Sequence, residues 1–149
     1  MTLALAANEI AVNLPQSLGS GVVEAKQESL LVKSESLADI AAFLKTEPGL
    51  ELNYLVYITA VDYCDYLELV YRLVSLEHNH SLVLKTRCHD TQNPVVPSLF
   101  SLWQGADLQE REVFDLFGIV FEGHPNLKRI FLWDGFPGHP LRKDFTVDA

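Results

Sequence analysis

Cysteine is almost missing from this 149-residue sequence: Cys64 and Cys88 are the two it contains. An iron–sulfur cluster takes about four thiolates, so neither such a cluster nor a Cys-rich zinc site can be built from this chain alone. The two thiols read as reduced, mostly buried residues, a disulfide being the alternative. Basic residues are scarce as well, eleven Lys and Arg against twenty Asp and Glu, for a net charge of -9. That is the wrong sign for a protein that neutralises phosphates, so nucleic acid is excluded as the expected partner. No run approaches the roughly 18–20 apolar residues that span a bilayer, and membrane contact is expected only through a partner. The apolar start, Met1 to Ala7, has no basic flank and is interrupted by Asn8 and Glu9, so it does not read as a secretory signal. No phosphate-cradling glycine loop and no serine in a nucleophile elbow occur; Gly19-Ser20-Gly21 alone is too little for a nucleotide site.

What is present is an ordinary globular composition, 48% apolar and 21% charged, in a length suited to one modest core. Leu3 to Leu18 reads as a loose helix troubled by Pro15. Val22 to Ala25 and Ser29 to Val32 are short strand-like runs, and Ser34 or Ser36 caps a helix through Leu37, Ile40, Ala41 and Leu44 that Pro48-Gly49 ends. Leu52 to Val61, Leu67 to Leu76 and Leu82 to Arg87 are separated by polar breaks and predict an antiparallel meander. Further periodic runs lie at Ser98 to Trp103 and Leu108 to Phe117. The fold expected is α+β, a two-layer domain with an antiparallel or mixed sheet covered by helices over residues 1–123, of which 1–29 are poorly defined. Five of the seven prolines follow Asp90, and residues 124–149 predict an extended Pro-rich C-terminal arm.

Chemistry could reside in Asp107 to Glu112, where Asp107 as N-cap and Glu110 at N3 fit a capping box. Arg111 is four residues from both Asp107 and Asp115 and could pair with either on one helix face, and Gly118 suits a left-handed helix end. Glu110 and Glu112 as a catalytic pair fit poorly, because residues two apart on a helix diverge by about 200°. His78, His80, Cys88 and His89 could be imagined as metal ligands across a hairpin, without an established spacing. His124 before Pro125 and His139 before Pro140 suit turn punctuation or interface shaping better than catalysis. In the arm, Lys128, Arg129, Arg142 and Lys143 concentrate positive charge in an acidic chain, beside Trp133 and Phe136 as apolar anchors.

The run Glu110-Arg111-Glu112-Val113-Phe114-Asp115-Leu116-Phe117-Gly118-Ile119, then Phe121-Glu122-Gly123-His124-Pro125-Asn126-Leu127-Lys128-Arg129-Ile130, closely resembles the signature of the 30 kDa subunit family of respiratory complex I, known in bacteria as the C subunit. Gly138-His139-Pro140-Leu141-Arg142-Lys143-Asp144-Phe145 resembles its closing motif. The resemblance spans roughly residues 30–145. Leu108, where the family often has tryptophan, and Phe136-Pro137, in place of a frequent aromatic–acidic pair, depart from it.

The resemblance implies a peripheral-arm subunit on the cytoplasmic side of the cell membrane, packed against the large subunit that helps form the quinone site. It implies no flavin, nucleotide or iron–sulfur cluster in this chain, no catalytic residue, and an assembly that couples quinone reduction to proton translocation. It makes Glu110, Arg111, Glu112, Asp115, Gly118, His124, Pro125, Arg129, Trp133, Gly138, His139, Pro140, Arg142, Lys143 and Asp144 the assembly residues. Related subunits serve ferredoxin- or deazaflavin-driven complexes and membrane-bound hydrogenases, so the electron donor stays open. The competing reading from another class is an independent soluble enzyme using Glu110, Glu112 and the histidines.

Overall fold

The computed structural model describes residues 2–147; Met1 and the last two residues of the expected arm, Asp148 and Ala149, lie outside the described residues. The framework is the predicted meander: β4 (Tyr54–Asp62), β5 (Leu67–Ser75) and β6 (His80–Cys88) pair antiparallel. Alternation directs Leu69, Tyr71 and Leu73 of β5 and Leu82 and Leu84 of β6 to one face, where they are buried. Before it come β1 (Leu3–Ala4), β2 (Val22–Ala25) and β3 (Leu30–Val32). Strand β3 joins β6 in parallel and β2 antiparallel, giving the order β2-β3-β6-β5-β4, while β1 adds parallel to the start of β6. The sheet is therefore mixed, and the fold is α+β.

Helix α3 (Leu37–Thr46), entered through a 3-10 turn at Ser34–Ser36, places Leu37, Ile40, Ala41 and Leu44 on one stripe, all four without solvent contact. Full burial of each large aliphatic contributes about 1.5–3 kcal/mol, which fixes the helix against the sheet. The Ser36 side chain makes no cap bond; the 3-10 turn leads directly into the helix.

Three local expectations are corrected. The N-terminal helix is not continuous over Leu3 to Leu18 but splits into β1, α1 (Ala7–Asn13) and a four-residue turn of helix α2 (Gln16–Gly19). Pro15 forces Leu14 into extended geometry, φ -66 and ψ 145, which ends α1. Ser98 to Trp103 is neither helix nor strand: Leu99 O accepts from the Leu102 and Trp103 amides, and the Trp103 indole donates to Leu52 O at 3.2 Å. The chain after Glu122 has no helix or strand among the described residues, as its prolines require, yet it is not an arm extended from the domain. It folds back over α4 (Ala106–Phe117), which lies between the parallel partners β7 (Val95–Pro97) and β8 (Val120–Glu122).

Candidate functional site at the acidic helix

Helix α4 begins two residues earlier than the capping-box reading requires. The turn anchored by Trp103 delivers its carbonyl to the Ala106 amide, so Gly105 occupies the cap position and no side chain caps it. Asp107 then lies inside the first turn, where its carboxylate meets His124 Nε2 at 3.0 Å. The Asn126 amide donates to His124 Nδ1 at 2.9 Å, which leaves Nε2 as the donor to Asp107. Glu110 does not reach back to the helix start. It is fully buried and accepts from Ser98 Oγ at 2.6 Å and the Leu99 amide at 2.8 Å, tying the helix to the turn before it. Burial pushes its carboxyl above the ordinary range, outweighing both donors.

Arg111 pairs with neither Asp107 nor Asp115. It donates to the backbone carbonyls of Lys128 and Arg129 at 3.1 and 3.2 Å, gripping the returning chain. Asp115 is the centre of that grip. Without solvent contact, it accepts from the amides of Ile130, Phe131 and Leu132 at 3.2, 2.8 and 3.0 Å, and from Arg129 Nη1 at 3.1 Å. Three successive amides aimed at one carboxylate form a concave anion nest, filled here by a side chain of the same protein. Burial alone would raise Asp115, but the Leu132, Phe131 and Ile130 amides and the Arg129 charge prevail and hold it below the usual carboxylate range.

A second clasp lies further along. His139 Nδ1 donates to Asp115 O at 2.9 Å, the Leu141 amide donates to Leu116 O at 2.9 Å, and Arg142 Nη2 donates to Thr91 O at 2.8 Å. Nearly buried Asp62, at the end of β4, accepts from the Lys143 and Cys64 amides at 2.8 Å each and has Arg142 Nε 3.6 Å away. Burial would raise Asp62, yet those two amides and the arginine hold it low. Gly118 ends α4 at φ +78, and the His139 ring lies so close over it that a Cβ there would stand 2.6 Å from Cδ2. Gly138 is needed for a similar reason, at φ +94 with its carbonyl taking Arg129 Nη2 at 2.9 Å.

Of the positive charges concentrated in the expected arm, Arg129 and Arg142 are thus occupied by Asp115 and Asp62 of this chain. Glu112 is half-buried and without a partner among the described residues, and Asp144 is exposed, 3.9 Å from Arg142. Pro125 and Pro140 each follow a histidine bound to a backbone carbonyl of α4. The four imagined metal ligands are not brought together. His78 instead meets Glu51 at 3.0 Å with Glu77 nearby, while Cys88 is buried and its thiol is pushed up to about 11 by that burial. Lys143 uses its backbone amide here; of the two apolar anchors, Trp133 stays outside at 65% exposed while Phe136 is half-buried, edge-on to Trp133 at 5.7 Å and stacked on Phe145, and the neighbouring Phe131 is 62% exposed.

Residues 30–149 match the family model described as the 30 kDa subunit of respiratory-chain NADH dehydrogenase. The chain belongs to that family. It is 44% identical over 124 residues to the C subunit of the NADH-quinone oxidoreductase of Roseiflexus sp. (strain RS-1), covering 81% of this chain and 71% of that one. To the corresponding C subunit of Cupriavidus taiwanensis it is 41% identical over 149 residues, covering 91% and 75%. Among solved structures, a chain of the membrane-bound sulfane sulfur reductase, an archaeal respiratory membrane complex, superposes with a TM-score of 0.68 at 28% identity, covering 84% of this chain and 76% of that one. The matched region of this 30 kDa family member contains both clasps, from Asp62 to Lys143.

Three residues that hold these elements together were not among the assembly residues expected from sequence: Asp62, Ser98 and Gln109. The Gln109 side chain accepts from the Ile58 amide at 2.6 Å and covers the bulge in edge strand β4. Asp62 follows an alternating apolar strand at an inward-facing position, the one signal that could have marked it.

Proposed function

We propose that the chain is a structural, cofactor-free connecting subunit of the peripheral arm of a proton-translocating NADH:quinone oxidoreductase, packed against the large quinone-site subunit on the cytoplasmic side of the membrane. The observation that carries this reading is the division of labour in the returning segment. Its two arginines are consumed within the chain by Asp115 and Asp62, while Phe131 and Trp133 are held outward on a backbone made rigid by the nest. A rigid turn presenting large aromatics with no fold role of their own is the anatomy of an interface hot spot. No helix among the described residues is long and apolar enough to cross a membrane, consistent with attachment through other subunits. Glu110 has no path to a substrate, and Glu112 points elsewhere, which disfavours the independent-enzyme reading.

The reading is tested with Trp133→Ala. Truncating such an anchor costs about 2–4 kcal/mol of binding, so the yield of intact oxidoreductase falls while the melting temperature of the isolated chain is unchanged. Normal yield with the large subunit still attached would refute the docking role of this segment. The likeness to a sulfane sulfur reductase chain supports a second reading on the same geometry, an equivalent subunit in a complex with a different electron donor.

A further inference from the structure

One face of the sheet is covered by no helix among the described residues. Register sets Tyr57 of β4 beside Arg72 of β5 and Arg72 beside Val83 of β6, with Val70 and Val74 two residues to either side and Tyr54 at the corner. The intervening positions, such as Ile58, Tyr71 and Leu82, point into the core beneath the helices. Tyr54 and Tyr57 are 49% and 37% exposed, and the three valines are half-buried.

Arg72 stands at the centre of this face and differs from every other arginine. Arg87 pairs with Glu68, Arg111 with two carbonyls, Arg129 with Asp115 and Arg142 with Asp62. Arg72 has no hydrogen bond or ion pair among the described residues. Lys85 and Arg87 share the single buried carboxylate of Glu68, at 3.9 and 3.1 Å, and the same groove continues to the Glu24–Lys26 pair at the end of β2, so the face carries four cations against two anions in a chain of net charge -9.

We propose that this face is a second docking surface, which takes a protein segment placing an Asp or Glu carboxylate on Arg72 and aliphatic side chains on the surrounding valines and tyrosines. A guanidinium bound by a carboxylate in a ring of Tyr and Val is shielded from water, and arginine offers that carboxylate two parallel donors. The excess of positive charge selects an acidic partner, and the valine rows demand apolar neighbours around the acid. A polyanion such as nucleic acid satisfies only the first requirement and is repelled by the rest of the molecule. The surface is distinct from the Phe131 and Trp133 patch; it rests on membership of the oxidoreductase only for the choice of complex.

Phenylglyoxal, which modifies accessible guanidinium groups, is applied to the free chain and to the purified intact oxidoreductase, with peptides read by mass spectrometry. Arg72 is expected to react readily in the free chain and about tenfold more slowly in the complex, as for a side chain in a desolvated interface centre. Arg129, already clasped, is the slow reference in both. In complex assembled with Arg72→Lys, carbodiimide is expected to join the amine at position 72 to an Asp or Glu of another subunit. Equal reactivity of Arg72 in both states overturns the proposal. So does protection without such a bond, or a bond formed only to a second copy of this chain. Either result leaves the Trp133 test unaffected, so failure of one surface is separable from failure of the other.

Discussion

At the scale of single residues, Asp115 and Gly118 carry the most. Asp115→Asn removes the charge that three amides and Arg129 converge on, and turns an NH2 group toward at least one N–H donor. Breaking a buried ion pair from one side costs about 3–5 kcal/mol, so urea unfolding of the isolated chain should show a lower midpoint and an unfolding free energy reduced by that amount. An unchanged midpoint would mean the nest contributes nothing to folding. Gly118→Ala meets two penalties, a left-handed backbone and the His139 ring at 2.6 Å from the new Cβ, and should cost about 1–3 kcal/mol by the same measurement. Gly118 was legible in the sequence because a helix of this length followed by glycine demands a left-handed end. The partner of Asp115 was not: the four-residue spacing to Arg111 satisfied local geometry, and only the returning chain could offer three amides and a closer guanidinium.

At the scale of elements, residues 124–147 behave as a strap whose locks are Asp115 and Asp62. Both carboxyls are held below their ordinary range, so their contribution is fully present above the unfolded value of about 3.9 and is lost as pH falls through the lower folded value. Glu110 has the opposite sign. Raised by burial, it favours the protonated form, and stability declines as pH rises from its unfolded value through its folded one. Pepsin digestion of the isolated chain at decreasing pH should therefore cut first between His124 and Phe145, while peptides from β5 and β6 stay intact. Cleavage of the sheet before the strap would contradict the lock. Helix α3 is simpler: Leu44→Ala should cost about 2–5 kcal/mol, read as a lower thermal midpoint, because its stripe is wholly buried.

At the scale of the whole molecule, a mixed sheet with helices on one face leaves the chain with one self-contained core and outward features that serve no folding purpose. The exposed aromatics of the strap and the Arg72 face are both of this kind. Neither thiol is in a disulfide: Cys64 is exposed, and Cys88 is buried with its thiol pushed up to about 11, so the proposed cofactor-free role makes a direct prediction. Recombinant chain incubated with iron and sulfide, or with flavin, should stay colourless after desalting; a stoichiometric visible chromophore would overturn the structural role.

Taken by itself, the sequence determined what depends on neighbours along the chain. The meander strands, the stripe of α3, the left-handed stop at Gly118 and the irregular, proline-rich run after Glu122 all follow from period, cap and ring geometry, which act within a few residues. The signature from Glu110 to Ile130 also sufficed to indicate the family, since order and spacing survive without coordinates. Only the tertiary structure decided where charges end. Glu110 turned inward to Ser98, Arg111 released both of its helix neighbours, and Asp62 reached Lys143 across 81 positions of sequence. A charge placed on a helix face settles on the best desolvated partner the whole fold presents, and that partner is chosen by the path of distant backbone rather than by spacing along the chain.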